Sequence, residues 1–251
     1  MKETVSVVSK VVLALALLFA IPQGAQALVF DKFEVITIPG GDLFTNVGPA
    51  DPLPSTIDVS MPGLITHVTV TLFTLVHGFP DDIDIMLVGP GPTPVSLILM
   101  SDAGGGINGV DNFGLLDPVD LVFDDGGIPL PDEAQIIAGI FAPTNYGPGD
   151  TFTASPSNIC STAPSSLALS AFNGISPNGT WSLCIEDDQF THTLVDPDDI
   201  SDLGQGFAVG WSLDITTRQE PPQVPESSTL ILLASGLLVL VAYARKVGGL
   251  T

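Results

Sequence analysis

The stretch of sequence that decides the fold is Asp81-Asp82-Ile83-Asp84-Ile85-Met86-Leu87-Val88-Gly89-Pro90. Its apolar residues Ile83, Ile85 and Leu87 stand two positions apart, and acidic residues alternate with the first of them. Because successive side chains of a strand point to opposite faces, this period predicts a half-buried antiparallel strand. The Gly-Pro pair that follows supplies the turn residues that end the strand.

The same alternation recurs along the chain. The further apolar series are Val68, Val70, Leu72; Val95, Leu97, Leu99; Val119, Leu121, Phe123; Trp181, Leu183, Ile185; and Val209, Trp211, Leu213, Ile215. Turn residues separate them at Gly104–Gly106, Asp125–Gly127 and Asn178-Gly179, the last predicted as a hairpin turn. This pattern predicts an all-β fold, a jelly roll or β-sandwich, with both tryptophans in the core between two sheets. A short helix is expected at Glu133–Ile140.

The predicted domain is strongly acidic. Between Leu28 and Glu220 lie 26 of the 28 acidic residues, against Lys32 and Arg218 as the only bases, which gives a formal net charge of −24. Such a surface repels nucleic acid and anionic lipid headgroups, so we exclude nucleic acid as a partner. Divalent cations are the counter-ions that this composition favours.

The N-terminus has the pattern of an export signal over residues 1–27. Lys2 and Lys10 precede the apolar run Val11–Ile21, and Ala25-Gln26-Ala27 forms a small-x-small cleavage site. We therefore expect the mature chain to begin near Leu28. An uncleaved N-terminal anchor is the alternative.

The C-terminus, residues 224–247, has the pattern of a sorting tail, and residues 216–223 are predicted as the linker before it. The tail reads Val224-Pro225-Glu226-Ser227-Ser228-Thr229, then the apolar run Leu230–Ala242, then Arg245-Lys246. The apolar run is shorter than the roughly 20 residues of a stable membrane-spanning helix, and the two bases would face the cytoplasm. The tail resembles the PEP-CTERM signal of Gram-negative bacteria, with Ser227 where the family usually has a second proline. The resemblance implies transient insertion in the inner membrane, processing by an exosortase, and delivery to the cell surface or extracellular matrix.

The domain, predicted at residues 28–215, resembles the P domain (P/Homo B) of proprotein convertases, best over residues 56–216. The quoted stretch from Asp81 to Pro90, preceded by Val76-His77, is similar to the family's His…Asp-Leu-x-Ile-x-Leu-x-Ser-Pro pattern. The later matches are Phe172-Asn173-Gly174, Asn178-Gly179-Thr180-Trp181-Ser182-Leu183 and Gly210-Trp211-Ser212-Leu213. The resemblance implies a jelly-roll β-sandwich. In convertases this domain stabilises a subtilisin-like catalytic domain, for which the residues between Leu28 and Thr56 are too few.

The two cysteines, Cys160 and Cys184, both lie in the part expected to be exported. In an oxidising compartment an even pair favours a disulfide. Closing a loop of this length stabilises the fold by about 3 kcal/mol in the chain-entropy model. Two separate buried thiols are the alternative.

Calcium is the cofactor that the acidic residues favour, because Ca²⁺ takes six to eight oxygen ligands from carboxylates and loop carbonyls. Three groups offer such oxygens: Asp81, Asp82 and Asp84; Asp102 and Asp111; and Glu186, Asp187 and Asp188. Asp82 and Asp84 are expected on one face of a strand. The alternative is that all these acids are solvated turn formers.

Catalytic patterns are weak. The three histidines, His67, His77 and His192, accompany no Gly-x-Ser-x-Gly elbow, and we predict that the chain is not an enzyme. We expect a structural or adhesive surface protein. The alternatives are a module that binds extracellular polysaccharide through loop aromatics (Phe79, Phe113, Tyr146, Phe190) and an accessory domain for a separately encoded subtilisin-like protease.

Overall fold

The computed structural model describes residues 24–39, 47–104, 115–147, 150, 152–153, 158–161, 163–188, 206–219 and 226–248. The chain divides into a compact unit, Gly24–Gln219, and a second unit made of Met1–Gln23 and Glu220–Thr251. The export signal before Gly24, Asp111, and the motif residues Val224 and Pro225 lie outside the described residues.

The domain unit is built from strands. In chain order they are β1 (Ala25–Lys32), β2 (Ile36–Ile38), β3 (Gly48–Pro49), β4 (Ser55–Val59), β5 (Leu64–His77), β6 (Ile83–Val88), β7 (Ser96–Ser101), β8 (Leu115–Pro129), β9 (Gly139–Ala142), β10 (Thr144–Asn145), β11 (Gly179–Asp187), β12 (Gly206–Ala208) and β13 (Gly210–Arg218). Each predicted alternating series lies in or at the edge of one of these strands. Short 3₁₀ turns occur at Pro80–Asp82 and Leu169–Phe172.

The strands form two sheets, as an all-β sandwich requires. One sheet has the order β1-β13-β5-β12-β2, and β8 joins β5 to β9. The other has the order β10-β7-β6-β11-β3, with β4 also paired to β11. Most pairs are antiparallel, but β8–β9 and β7–β10 are parallel.

The core lies between the sheets and contains both tryptophans, which are 0% exposed. Trp181 is on β11 and Trp211 on β13, so each sheet contributes one. The indole N–H of Trp211 donates to the Ser55 hydroxyl across the core at 2.9 Å, and that of Trp181 donates to the Pro177 carbonyl at 2.9 Å. The prediction of a shared tryptophan core is confirmed.

The central strands of the second sheet are buried on both faces, which differs from the half-buried strand that the sequence predicts. Every residue of β6 and β7 is buried. Odd-numbered β6 residues such as Ile85 join the main core, whereas Met86 and Val88 pack with Ile98 in a second apolar cluster on the outer face. The chain after β10 covers that face, because its Cys160 is disulfide-bonded to Cys184 of β11 within the same cluster.

Two local predictions are wrong. Residues 133–138 have no helix, and Gly139-Ile140 instead pair with Leu121-Val122 in β9, where the sheet supplies the hydrogen bonds. Asn178-Gly179 is not a hairpin turn, because β11 pairs with β4 and β6 and the Asn178 side chain accepts a hydrogen bond from the Met61 amide at 2.7 Å.

The domain boundaries also differ from the prediction. The linker is predicted to begin at residue 216, but Thr216–Arg218 belong to β13. These residues pair with Ala25–Ala27 of β1. The residues of the expected signal-cleavage site, Ala25 and Ala27, thus lie in a strand of the sheet.

The second unit contains a helix, α1 (Glu226–Gly248), which includes the apolar run of the tail and ends near Arg245 and Lys246. Within the described residues, no helix combines the length and apolar character needed to cross a membrane.

Candidate metal centre

Acidic residues collect at one edge of the six-stranded sheet because of the strand directions. β6 begins at this edge, whereas its antiparallel neighbours β7 and β11 end there. β10 runs parallel to β7 and ends there too. Asp84 on β6, Asp102 after β7 and Asp150 after β10 each place a carboxylate oxygen so that the three oxygens lie within 4.8 Å of one another.

Asp84 is the buried member of this group. Its side chain is on the outer face of the sheet, and the residue is only 2% exposed. Within the described residues, its Oδ2 atom is buried and has no hydrogen-bond partner. Burial is the main cause that raises the pKa of Asp84 to about 8; a hydrogen bond from Ser101 opposes this rise, and the negative charges of Asp188, Asp150 and Asp102 add to it. None of the ion pairs in the described part of the chain involves Asp84, so its buried carboxylate has no positive partner there.

The other two members are positioned by short local contacts. Asp102 adopts a left-handed backbone conformation with φ 49°, and its Oδ2 accepts a hydrogen bond from the Ser101 hydroxyl at 3.0 Å. Gly147 passes so close that a Cβ there would lie 1.9 Å from the same Oδ2 atom, so a larger residue would displace the Asp102 carboxylate from this position. Asp150 accepts a hydrogen bond from the Asn145 side-chain amide at 2.6 Å.

Further carboxylates surround the three. Burial, followed by the charges of Asp82 and Asp102, raises the pKa of Asp81 to about 6. Burial, followed by the charges of Asp102 and Asp82, raises the pKa of Asp188 to about 6. The edge therefore has a strongly negative potential with no lysine or arginine among these neighbours.

The geometry suits a hard divalent cation. An ion with oxygen ligands at about 2.3–2.6 Å, the range for Ca²⁺, spans opposite oxygens separated by about 5 Å. The three carboxylates satisfy this spacing, and backbone carbonyls and water are the usual remaining ligands. Zinc prefers cysteine and histidine ligands, which this group lacks. Asp84, Asp102 and Asp150 are therefore the residues that would hold a calcium ion.

The sequence-predicted ligands have different positions in the structure. Asp84 and Asp102 belong to two different predicted ligand groups, and the structure brings them together. Asp81 and Asp188 are among the carboxylates that surround this centre. Asp82 lies in the 3₁₀ turn and not on the strand face of Asp84, so that expectation is wrong. Glu186 and Asp187 contact other groups of the protein.

Glu186 and Asp187 hold protein groups. Glu186 accepts hydrogen bonds from the backbone N–H and the hydroxyl of Thr153, the latter at 2.5 Å. Asp187 lies 3.3 Å from Nε2 of the fully buried His77. The His77 ring also contacts the carbonyls of Phe79 (2.8 Å from Nδ1) and Pro39 (2.7 Å from Nε2). Burial lowers the pKa of His77, but the hydrogen bond with Asp187 and these carbonyls outweigh burial, so the pKa is raised.

Sequence reasoning missed Asp150, which is 48 positions after Asp102 and 66 after Asp84 in the printed chain. Its only sequence signal is its place in the turn-rich stretch Tyr146-Gly147-Pro148-Gly149-Asp150. Such a stretch marks a loop but does not say which acidic residue the loop approaches.

The remaining histidine contact does not have the geometry of a catalytic triad. On the exposed face of the seven-stranded sheet, His67 Nε2 lies 2.7 Å from Asp124 Oδ2 and 3.3 Å from the Thr69 hydroxyl. In a triad, the nucleophile and the acid contact opposite nitrogens of the ring. Here the same nitrogen faces both groups. His192 lies outside the described residues.

The aromatic residues offer little surface for stacking a sugar. Phe79, expected in an exposed loop, is 5% exposed, so that expectation is wrong. Tyr146 is 42% exposed, as expected, and its hydroxyl donates to the Leu130 carbonyl at 2.5 Å. Phe113 and Phe190 lie outside the described residues.

Comparisons of this chain with known proteins show little similarity. No protein-family model matches the chain, and no curated protein matches it. Among solved structures, a chain in the complex of the Aeromonas sobria serine protease with a chaperone has a TM-score of 0.40 and 16% identity, over 83% of this chain and 29% of that one. The A. sobria serine protease itself gives 0.38 and 14%, over 78% of this chain and 27% of that one. This chain thus spans less than a third of those proteins.

Proposed function

We propose that this protein is an exported, non-catalytic β-sandwich in which a calcium ion at Asp84, Asp102 and Asp150 fixes the acidic edge of the domain. The observation that carries the proposal is the buried Asp84 carboxylate, whose Oδ2 atom has no hydrogen-bond partner among the residues that the structure describes and lies beside two further carboxylates. A bound Ca²⁺ would offset two of the three negative charges and link β6 to the loops after β7 and β10.

The test is thermal unfolding of the full chain with calcium, with magnesium and with chelator. Calcium at a hundredfold excess over its Kd stabilises the folded state by about 2.7 kcal/mol. For a domain of this size, we expect the Tm to rise by roughly 5–10 °C. Asp84→Asn should abolish the part of the rise that is due to the site, whereas Asp214→Asn, an exposed acid on β13, should leave that part intact. An equal rise in both variants would contradict the site.

For the biological role, we propose a structural or adhesive part at the cell surface or in the extracellular matrix. Polysaccharide binding is the first alternative, and Tyr146 is its exposed aromatic candidate. An accessory role for a separate subtilisin-like protease is the second; its support is that the P-domain-like motifs form β6, β11 and β13. Retention on the host's polysaccharide, lost in Tyr146→Ala, would favour the first alternative. Co-purification with a subtilase would favour the second.

We further propose that the C-terminal tail directs sorting by an exosortase. Replacing Pro225 and Glu226 together by alanine should leave the precursor uncut and associated with the inner membrane, because the recognition motif is lost while the apolar run remains. The measurement is the size and fraction of the protein in separated membranes. A Ser235→Ala variant, changed within the helix but outside the motif, should be processed normally. Normal processing of the double variant would contradict the proposal.

A further inference from the structure

The segment that carries Asp150 is attached at several points to the outer face of the six-stranded sheet. Asp150 lies at the acidic group, and Thr153 donates two hydrogen bonds to Glu186. Phe152 and Ile159 pack on the outer apolar cluster, and the disulfide joins Cys160 to β11. The described residues of this stretch, which we call the covering segment, therefore contact both the candidate metal centre and the surroundings of the disulfide: Asp150, Phe152, Thr153, Ile159 and Cys160.

The register of β6 and β11 explains why these attachments are neighbours. Asp84 pairs with Glu186, and two residues along the same strands Met86 pairs with Cys184. Residues two apart on a strand share a face, so the acidic pair and the apolar pair lie side by side on the outer face. The covering segment places Asp150 and Thr153 over the first pair and Cys160 over the second.

From this arrangement we propose that the calcium site and the Cys160–Cys184 disulfide are coupled: bound calcium protects the disulfide from reduction, and the intact disulfide tightens calcium binding. The inference rests on the proposed calcium site and adds a regulatory property to it.

Reduction requires the covering segment to open. Cys160 is 1% exposed and Cys184 0% exposed, so a dithiol cannot reach either sulfur in the closed domain. Once the segment lifts, a thiolate of the dithiol attacks one sulfur, the S–S bond breaks, and the other cysteine leaves as a thiolate. The second thiol of the reagent, as its thiolate, then attacks the reagent's own sulfur in the mixed disulfide, and the protein cysteine leaves as a thiolate. The reagent becomes a cyclic disulfide, and its two electrons, with two protons, reach the two cysteines.

Calcium opposes this opening because its coordination bonds link the covering segment to the sheet. An ion held by Asp150 together with Asp84 and Asp102 must lose a ligand when the segment lifts. Coupling between two equilibria is reciprocal, so the disulfide must favour calcium binding by the factor by which calcium shifts the equilibrium for reduction; the reduction rate reports the direction of this coupling. The disulfide acts by keeping Asp150 near Asp84 before the ion arrives.

The experiment measures how fast dithiothreitol releases thiols from the full, oxidised chain in calcium, in magnesium and in chelator. The chain has two cysteines and no free one, so the signal reports this bond alone. We expect calcium to slow the release by about tenfold, within the range typical of coupled sites. Asp150→Asn should lose this protection at the same calcium concentration, and Asp214→Asn should retain it.

Calorimetric titration with calcium separates the two proposals. The oxidised chain should bind calcium about tenfold more tightly than the variant with Cys160→Ser and Cys184→Ser. Binding to the oxidised chain with equal reduction rates in calcium and chelator would overturn the coupling and leave the calcium site standing. No binding to the oxidised chain would overturn both. If the double-serine variant does not fold, the reduction rates of the wild type and Asp150→Asn decide.

Discussion

At the scale of single residues, Asp84 makes the stability of the calcium-free domain depend on pH. Burial raises its pKa to about 8 from a model-compound value of 3.8, so the folded state holds a proton that the unfolded chain releases. A group whose pKa is raised by folding stabilises the fold fully below its unfolded pKa, and this contribution is lost as pH rises through the folded pKa. Asp81 and Asp188, both with a pKa of about 6, have the same sign over a lower range.

We therefore predict that, in chelator, the free energy of unfolding falls as pH rises from 5 to 9. Each unit of pKa difference corresponds to about 1.4 kcal/mol, so the loss should be on the order of a few kcal/mol. With saturating calcium the part of the fall that is due to Asp84 should disappear, because the ion binds the ionised carboxylate and replaces the proton. Urea unfolding at several pH values measures both curves.

The control for this prediction is Asp84→Asn, which cannot ionise at that position. Its calcium-free stability should change much less between pH 6 and 9, and the remaining slope should come from His77, Asp81 and Asp188, whose raised pKa values have the same sign. If the wild type and this variant lose stability in parallel, Asp84 is not the group that titrates.

The acidic centre could be predicted only in part from the sequence, for a physical reason. Asp84 and Asp102 belong to stretches rich in acids and turn residues, so their chemistry was visible. Their meeting with Asp150 depends on the pairing of β6, β7 and β10, and such non-local pairing leaves no trace in local spacing. Glu186 also offers a carboxylate, but this carboxylate accepts a hydrogen bond from Thr153. That contact is determined by the fold of the covering segment and not by the local sequence.

At the scale of elements, the strands were predictable because the period of two is imposed by the core. Trp181, Leu183 and Ile185 all face the same buried layer, and a shift of one residue would expose them. The burial of the outer face of β6 was not predictable. Met86 and Val88 pack there against residues that come much later in the chain. The helix expected at Glu133–Ile140 failed for a similar reason: pairing with β8 outweighs a weak local helical pattern.

The two sheets are also joined by a polar contact, which gives a prediction at this scale. Ser55 of β4 accepts from the Trp211 indole N–H at 2.9 Å and donates to Glu34 at 2.7 Å. Ser55→Ala leaves the buried indole N–H without this partner, so we expect a loss of about 1–3 kcal/mol in the free energy of unfolding. Urea unfolding measures it.

A matched control is Thr66→Ala, which removes an exposed hydroxyl bonded to the Thr216 carbonyl at 3.2 Å. Exposed sites of this kind usually change stability by less than about 0.5 kcal/mol. A loss in Ser55→Ala no larger than in Thr66→Ala would show that the contact between the sheets contributes little.

At the scale of the whole molecule, the net charge raises a competing explanation for any effect of calcium. With 26 acids and two bases between Leu28 and Glu220, any cation reduces self-repulsion and stabilises the compact state. A rise in Tm with calcium alone would not separate a site from a diffuse ionic atmosphere. The two differ in their response to salt, since screening acts on exposed charges and much less on buried ones.

We therefore predict that the effect of calcium on the Tm has two parts with different salt dependence. At 1 M NaCl the Debye length is about 3 Å, against about 8 Å at 0.15 M, so the diffuse part should vanish at high salt. The part due to Asp84, which is 2% exposed, should persist. Thermal melts of the wild type and Asp84→Asn, with calcium or chelator at both salt concentrations, measure the two parts. In 1 M NaCl the wild type should still respond to calcium and the variant should not. If both lose the response at 1 M NaCl, calcium acts through the net charge of the domain, and the acidic edge is a solvated surface.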